Sequence, residues 1–391
     1  MPFFVLMISG DCSNLISDHI MSKSDKKWMK LALEIAERGA GYVSPNPMVG
    51  CVIVSVDGKK IGQGYHERYG QPHAEKNAVD SVNNPDLLKD ATVYVTLEPC
   101  AHHGNTPPCC ELLADLPISR VVVAMEDPTP KVAGKGIQHL RDHDITVDVG
   151  VMEEEAEQLN EFFLHYQTHN QPFITLKIAQ TLDGYIAAPD GDSEWISGPE
   201  SRAFVHKWRS QYDAVMVGRN TALLDNPRLT VRHVEGRQPK RIVIDGPLDL
   251  PRDLNLFTDQ YEEKTIVLTH NKEKFENEAD PMLNMLQSDY FRGQTLLVDE
   301  KEGHTDLDEA MRELAHVPVT SILVEAGQNL ASALLRQRLV DKVECFIAPK
   351  MLGGGTKSVM GVGIKRMSEI MEFRDVQWRQ VGEDLLFTGY L

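Results

Sequence analysis

The chain has 391 residues, 42% hydrophobic and 25% charged, and 58 acidic against 40 basic side chains give it a formal net charge of −18 at pH 7. That length predicts two domains, each able to bury a core, and the acidic balance argues against a nucleic-acid partner, which would meet a basic face. Six cysteines are too sparse for a disulfide framework, and no apolar run approaches the roughly 18 residues of a membrane span, so a cytoplasmic protein without a membrane partner is expected.

Residues 1–20 carry no periodicity and no motif. Their apolar stretch at 2–8 has no basic segment before it, Asp11 and Asp18 follow, and no small-residue cleavage pattern is present, which argues against a signal peptide. A disordered, nonessential leader is expected. Trp28, Leu31, Ala32, Ile35 and Ala36 then recur at helical spacing, with Gly39 placed to end the helix. Strand candidates at 48–55, 92–97, 120–125 and 145–149 alternate with helical stretches, the pattern of an α/β layer fold. Residues 151–166 read as an acidic amphipathic helix closing this first unit, and the polar run 167–172 reads as a linker. The expected domains are therefore 21–166 and 173–391.

The first unit carries His73-Ala74-Glu75, then Pro99-Cys100, then Pro108-Cys109. One histidine and two cysteines supply three ligands of the catalytic kind of zinc site, which keeps a fourth position for water and lowers its pKa to about 7. A glutamate two residues after the histidine is placed to act as acid and base rather than as ligand, the arrangement of zinc nucleobase deaminases. Helix-like sequence from Ala74 puts His73 and Glu75 at a helix start, and the run at 92–97 puts Cys100 just beyond the C-terminal end of a strand, where pockets form in α/β sheets. Cys110 competes with Cys109 for the third ligand position. Structural zinc sites usually close with four protein ligands and tight CxxC pairs, whereas eight residues separate Cys100 from Cys109. Two other readings stay open on these residues: a nucleoside or tRNA deaminase with an accessory domain, and a binding protein with a structural zinc module.

The second unit offers strand candidates at 173–179, 214–217, 241–244, 265–269, 295–298, 321–325 and 342–347. No GxGxxG follows an early strand, so an ordinary dinucleotide-binding domain is not supported. Residues 323–330 read instead as strand, glycine turn and helix, able to bring backbone donors to a phosphate. Taken alone, this pattern is common wherever strands meet helices.

The order and spacing of Pro45-Asn46-Pro47-Met48-Val49-Gly50, Gly62-Gln63-Gly64-Tyr65-His66, His73-Ala74-Glu75 and the run from Leu97 through Cys109 resemble the bacterial bifunctional riboflavin-biosynthesis deaminase/reductase family. The resemblance continues through Asp127-Pro128, Val132-Ala133-Gly134-Lys135-Gly136, Thr181-Leu182-Asp183-Gly184, Trp195-Ile196 and Asp225-Asn226-Pro227-Arg228-Leu229-Thr230, covering roughly residues 22–391.

The resemblance implies a cytidine-deaminase-like three-layer α/β domain followed by a dihydrofolate-reductase-like α/β domain, in a homo-oligomer. It implies Zn2+ on His73, Cys100 and Cys109, with the run Thr106-Pro107-Pro108-Cys109 favouring Cys109, and Glu75 as proton relay. Asn46, His66 and His102 would contact the deaminase substrate, a phosphorylated pyrimidine. In the second domain NADPH would lie against Ala179, Trp195, Thr221, Asp225 and the run Gly327, Gln328, Asn329, Leu330, Ala331, Ser332 and Ala333. Ser193, Arg209, Leu229, Arg232 and Glu325 would face the sugar-phosphate substrate. Lys177, Asp225 and Glu325 are of the type that hydrogen-bonds ribose hydroxyls or moves a proton, and the two arginines offer planar forks for phosphate oxygens. One departure stands out: Asn105 occupies a position that in this family commonly carries Lys or Arg, so a charge-assisted contact to the substrate phosphate is expected to be missing there.

Overall fold

The computed structural model describes residues 23–101, 107–129, 133–277 and 292–391. The expected leader, His102 and Asn105 lie outside the described residues. The described residues divide into two compact units, one within 23–39 and 48–159, the other within 40–47 and 160–391.

In the first unit, helix α1 (Lys23–Ala36) leads to strands β1 (Gly50–Val54) and β2 (Lys60–Tyr65). There follow α2 (Ala74–Asp80), β3 (Thr92–Val95), α3 (Cys109–Ala114), β4 (Arg120–Val123), α4 (Lys135–Asp142), β5 (Thr146–Val149) and α5 (Glu153–Leu159). The sheet order is β2-β1-β3-β4-β5, with β1 antiparallel to both neighbours and β3, β4 and β5 parallel. Strand alternation sorts side chains between the two faces. Cys51, Ile53, Val93, Val95, Val121 and Val123 pack with Ala74 and Ala78 of α2, Leu113 of α3 and Ile137 and Leu140 of α4. On the opposite face α1 lies so close to β1 that a Cβ on Gly50 would come within 2.0 Å of the Ala32 carbonyl oxygen. There Tyr94 and Arg120 both hydrogen-bond the buried carboxylate of Asp25. Helices thus cover both faces of this sheet.

After segment 40–47 the second unit continues with α6 (Glu161–His169), so the expected single helix over 151–166 is two helices separated at Asn160, and helix continues into the expected linker. Then come β6 (Phe173–Thr181), β7 (Tyr185–Ala187), α7 (Pro199–Gln211), β8 (Ala214–Gly218), α8 (Arg219–Asp225), β9 (Lys240–Ile244), α9 (Asn255–Thr258), β10 (Thr265–Thr269) and α10 (Lys272–Glu276). They are followed by β11 (Gln294–Leu297), β12 (Glu300–Lys301), β13 (His304–Thr305), α11 (Leu307–His316), β14 (Ser321–Val324), α12 (Gln328–Arg336), β15 (Lys342–Ala348), β16 (Thr356–Lys357), β17 (Arg374–Val381) and β18 (Asp384–Tyr390).

The main sheet runs β11-β10-β9-β8-β14-β6-β15-β18-β17, parallel through β15 and closed by two antiparallel strands. One face buries Leu176, Met216, Ile242, Leu268 and Ile322 under α11 and α12. The other packs Leu323 and Phe346 against Val205 and Tyr212, and Val215 and Val243 against Leu229 and Leu248. The ends of β6, β8 and β14 therefore open side by side.

Candidate functional sites

In the first unit, His73 is the N-cap of α2, in extended conformation, and its carbonyl accepts the first helical bond from Asn77 N–H at 3.1 Å. Glu75 follows in the first turn and is 3% exposed. Cys100 lies beyond the end of β3, and Cys109 opens α3 directly after Pro108, a residue suited to a helix start. His73 Nδ1 lies 3.6 Å from Cys100 Sγ and 3.4 Å from Cys109 Sγ, and the three ligand atoms fall within 4.8 Å of one another. Backbone donors steady the group: Cys109 N–H reaches Cys100 Sγ at 3.3 Å and Cys110 N–H reaches the Cys100 carbonyl at 3.2 Å. The Cys110 side chain is buried in the core cluster with Val93, Val95 and Leu113, so of the two adjacent cysteines only Cys109 joins His73 and Cys100.

The electrostatics suit a cation. The hydrogen bond with Cys109, outweighing burial and helped by His73, lowers the Cys100 thiol, and the same contact raises Cys109. Two sulfurs this close ionise together only with positive charge between them, and two thiolates with an imidazole nitrogen form a zinc donor set. Burial, then the charge on Cys100, lifts the Glu75 carboxyl to about 7, in the range of a group that both takes and gives a proton at neutral pH.

His66 stands beside this group, its ring edge-on to His73 with centroids 5.4 Å apart and its Nδ1 3.1 Å from the Pro72 carbonyl. Burial lowers its pKa. Asn46 belongs to the segment 40–47, which is part of the second unit, and its N–H donates to the Val43 carbonyl at 2.9 Å. His73 and Glu75 belong to the first unit.

In the second unit, Lys177 on β6, Arg209 on α7 and Glu325 just past β14 converge. Arg209 binds Glu325 bidentately, with Nε 2.6 Å from Oε1 and Nη2 2.9 Å from Oε2, while Nη1 donates to the Thr230 carbonyl at 3.0 Å. The fork expected to meet phosphate oxygens is thus engaged by a carboxylate. Lys177 Nζ lies 3.9 Å from Glu325 Oε2. Burial alone would raise Glu325, but Arg209, with Lys177, holds its carboxyl at about 2. Burial lowers Lys177, and Glu325 opposes that shift.

Arg232 is exposed and donates from Nη1 to Thr230 Oγ1 at 2.8 Å. Its N–H donates to Nδ1 of buried His206 at 3.1 Å. His206, held down to about 4 by burial and then by Arg209 and Arg232, was not singled out from sequence, although its i, i+3 spacing to Arg209 on α7 is visible there. Leu229 is buried at positive φ, 54°.

Helices α8 and α12 start at Gly218 and Gly327, neither with a side-chain cap. Thr221 Oγ1 would lie 3.5 Å from a Cβ on Gly327, and Leu330 side-chain atoms 3.6 Å from one on Gly218, so the two helix starts abut. The Ala331 N–H makes the first bond of α12, to the Gly327 carbonyl, leaving the N–H groups of Gln328, Asn329 and Leu330 without a place in the helical ladder. Ala331 and Ser332 are buried: Ala331 belongs to the core, and Ser332 Oγ accepts the Met360 N–H at 2.9 Å. Of the run 327–333, the backbone of 327–330 is therefore the part suited to an anionic group.

Asp225 ends α8 with an exposed side chain whose carboxyl is raised by desolvation and by Glu194. Trp195 is exposed, with the Arg202 guanidinium 4.4 Å from its ring, and its carbonyl accepts from Lys350 Nζ at 2.7 Å. Ser193 is half-buried two residues earlier, and Ala179 on β6 pairs with Phe346 on β15.

Residues 22–125 match the cytidine and deoxycytidylate deaminase zinc-binding region, and residues 172–387 match the RibD C-terminal domain. The chain is 42% identical over 363 residues to the riboflavin biosynthesis protein RibD of Aquifex aeolicus, covering 93% of this chain and 97% of that one. With the RibD of Escherichia coli it shares 39% identity, covering 92% and 98% of the two chains. Among solved structures, it is similar to Acinetobacter baumannii RibD, with a TM-score of 0.82 and 34% identity over 94% of this chain and 99% of that one. It is similar too to a diaminohydroxyphosphoribosylaminopyrimidine deaminase/5-amino-6-(5-phosphoribosylamino)uracil reductase from Thermotoga maritima, with a TM-score of 0.82 and 37% identity over 94% and 98% of the chains.

Proposed function

Because this chain belongs to the RibD family of riboflavin-biosynthesis proteins, we propose that it performs both reactions named for the Thermotoga maritima relative. The first unit hydrolytically deaminates diaminohydroxyphosphoribosylaminopyrimidine. The second reduces the ribosyl group of 5-amino-6-(5-phosphoribosylamino)uracil to ribityl. The convergence of His73, Cys100 and Cys109 beside buried Glu75 is the observation that carries the reading.

His73, Cys100 and Cys109 would hold Zn2+, which when bound supplies hydroxide at neutral pH by lowering the pKa of water. Glu75 receives the proton of the attacking water and delivers it to the departing amine, leaving a uracil-type ring and ammonia. His66, beside His73, belongs to the substrate side of this chemistry.

The second unit would take a nicotinamide cofactor, which we assign as NADPH and which when bound would supply the hydride for the reduction. The backbone donors at Gly327 to Leu330 would hold its phosphates, and Ala179, Trp195, Thr221 and Asp225 would help to bind it. Ser193, Leu229 and Arg232 face the substrate. Lys177, paired with Glu325, donates a proton or hydrogen bond to the opening sugar. Among the described residues no helix is long and apolar enough to cross a membrane, and we assign the protein to the cytoplasm.

The test is a coupled assay on purified protein: zinc content per chain, ammonia release from the diaminopyrimidine substrate, and NADPH oxidation with the deaminated intermediate. A protein that releases ammonia but never oxidises NADPH is a deaminase with an accessory domain. One that holds zinc and releases no ammonia carries a structural module.

A further inference from the structure

Glu98 directly precedes Pro99-Cys100, and its side chain points into the first unit with 3% exposure. Among the described residues its carboxylate accepts four backbone N–H groups. Oε1 receives Gly136 at 2.9 Å and Ile137 at 3.3 Å, in the first turn of α4, while Oε2 receives Asp127 at 3.2 Å and Gly134 at 3.0 Å. A buried carboxylate is costly unless its oxygens are satisfied, and donors at a helix start satisfy it well. The same carboxylate thus caps α4 from another segment and ties residues 127 and 134 to one oxygen. The backbones meet as closely: a Cβ on Gly136 would lie 1.9 Å from the Pro99 carbonyl oxygen. Cys100 is therefore held on one side by the α4 turn through Glu98 and Pro99, and on the other by the N–H groups of Cys109 and Cys110.

We propose that Glu98 is a positioning residue for the metal centre, whose clasp on the α4 amides fixes the Pro99-Cys100 step and so sets the place of the Cys100 sulfur relative to His73 and Cys109. This rests on the reading of those three residues as zinc ligands. Glutamine at 98 turns an amide nitrogen toward two N–H donors whichever way it flips, so the clasp opens on one side. Aspartate keeps the charge but, one methylene shorter, cannot span all four donors.

Zinc release to a chromophoric chelator is measured on the full-length protein, wild type against Glu98→Gln, Glu98→Asp and Gly136→Ala, together with the absorption spectrum of the Co2+-substituted forms. We expect release to quicken about 10–100-fold in Glu98→Gln, the usual effect of removing a group that orients a metal ligand. The sulfur-to-cobalt bands should shift, NADPH turnover in the second unit should hold, and Glu98→Asp should fall between. Gly136→Ala pushes on the same carbonyl with the carboxylate intact, and should alter the bands in the same direction. Unchanged release and bands in any folded variant overturn the proposal, as does loss of the folded protein in all three, which would make the clasp a general support of the domain. A wild-type protein that binds no zinc fails the underlying reading instead.

Discussion

Arg209 and Glu325 form a two-point ion pair, Nε to Oε1 at 2.6 Å and Nη2 to Oε2 at 2.9 Å, with Lys177 Nζ 3.9 Å from the same carboxylate. Glu325 is what keeps the buried Lys177 ammonium from losing its proton more readily still. Glu325→Gln should lower the Lys177 pKa further and move the alkaline limb of the reductase kcat/KM profile to lower pH. Ammonia release measured in the same samples is the internal control. A limb that stays in place means Lys177 is not the group that titrates.

The pair has a consequence for stability as well. The Glu325 carboxyl sits at about 2 in the fold against an ordinary value of 4.5, so its stabilisation is complete above 4.5 and is lost as pH falls toward 2. Removing one partner of a buried pair typically costs about 3–5 kcal/mol. Urea unfolding of wild type and Glu325→Gln should differ by that order at pH 7, with the gap narrowing steadily below pH 4.5. A gap independent of pH would locate the loss in packing instead.

Glu75→Gln keeps the shape of the buried side chain and removes its proton traffic. Deamination should fall by about 10²–10⁴-fold, the usual contribution of a positioned acid or base. Zinc content and NADPH oxidation should stay near wild type. Deamination at the wild-type rate would remove Glu75 from the mechanism.

Cys109→Ser should lose zinc and deamination together, whereas Cys110→Ser should keep both, since the Cys110 thiol packs in the core away from His73. The second variant instead buries a hydroxyl among apolar groups, at about 1–3 kcal/mol of stability. Metal analysis and thermal melts on the pair separate the two losses, and the reverse pattern would exchange the ligand assignment.

Asp225→Asn should impair reduction and spare ammonia release. The exposed carboxyl closes α8 beside the loop of Glu194 and Trp195, in a unit separate from His73. Equal loss of both activities in a folded protein would show that the two chemistries are not divided between the units as proposed.

The metal cluster was legible because its residues fall within 37 positions and each lies at the edge of an element with a plain signal: a helix start at Ala74, a β-branched run at 92–95, a proline before Cys109. The parallel strands of the second unit were legible for a similar reason, since burial on both faces leaves continuous apolar runs such as Ala214 to Val217. The hairpin β17–β18 went unread. Its first strand, RDVQWRQV, is exposed at every position but the last, and without a buried face no alternation is imposed on it. Nor does sequence reveal the break at Asn160, or that Glu98 reaches Gly134 and Gly136, more than 35 positions away, because partners of a buried carboxylate are fixed only by tertiary contact.

Segment 40–47 belongs to the second unit although the sequence on either side of it belongs to the first. Its Ser44 hydroxyl donates to Asp213 Oδ2 at 2.6 Å, and the same oxygen accepts the N–H and hydroxyl of Thr320 at 2.9 and 2.7 Å. No single cut in the polypeptide releases either unit whole. A gene truncated at codon 159 would encode the first unit plus an eight-residue tongue whose binding groove had been deleted, and the complementary fragment would expose Asp213 and Thr320 without the serine they share. Dissecting the two activities onto separate polypeptides therefore calls for replacing residues 40–47 in one fragment and supplying them to the other.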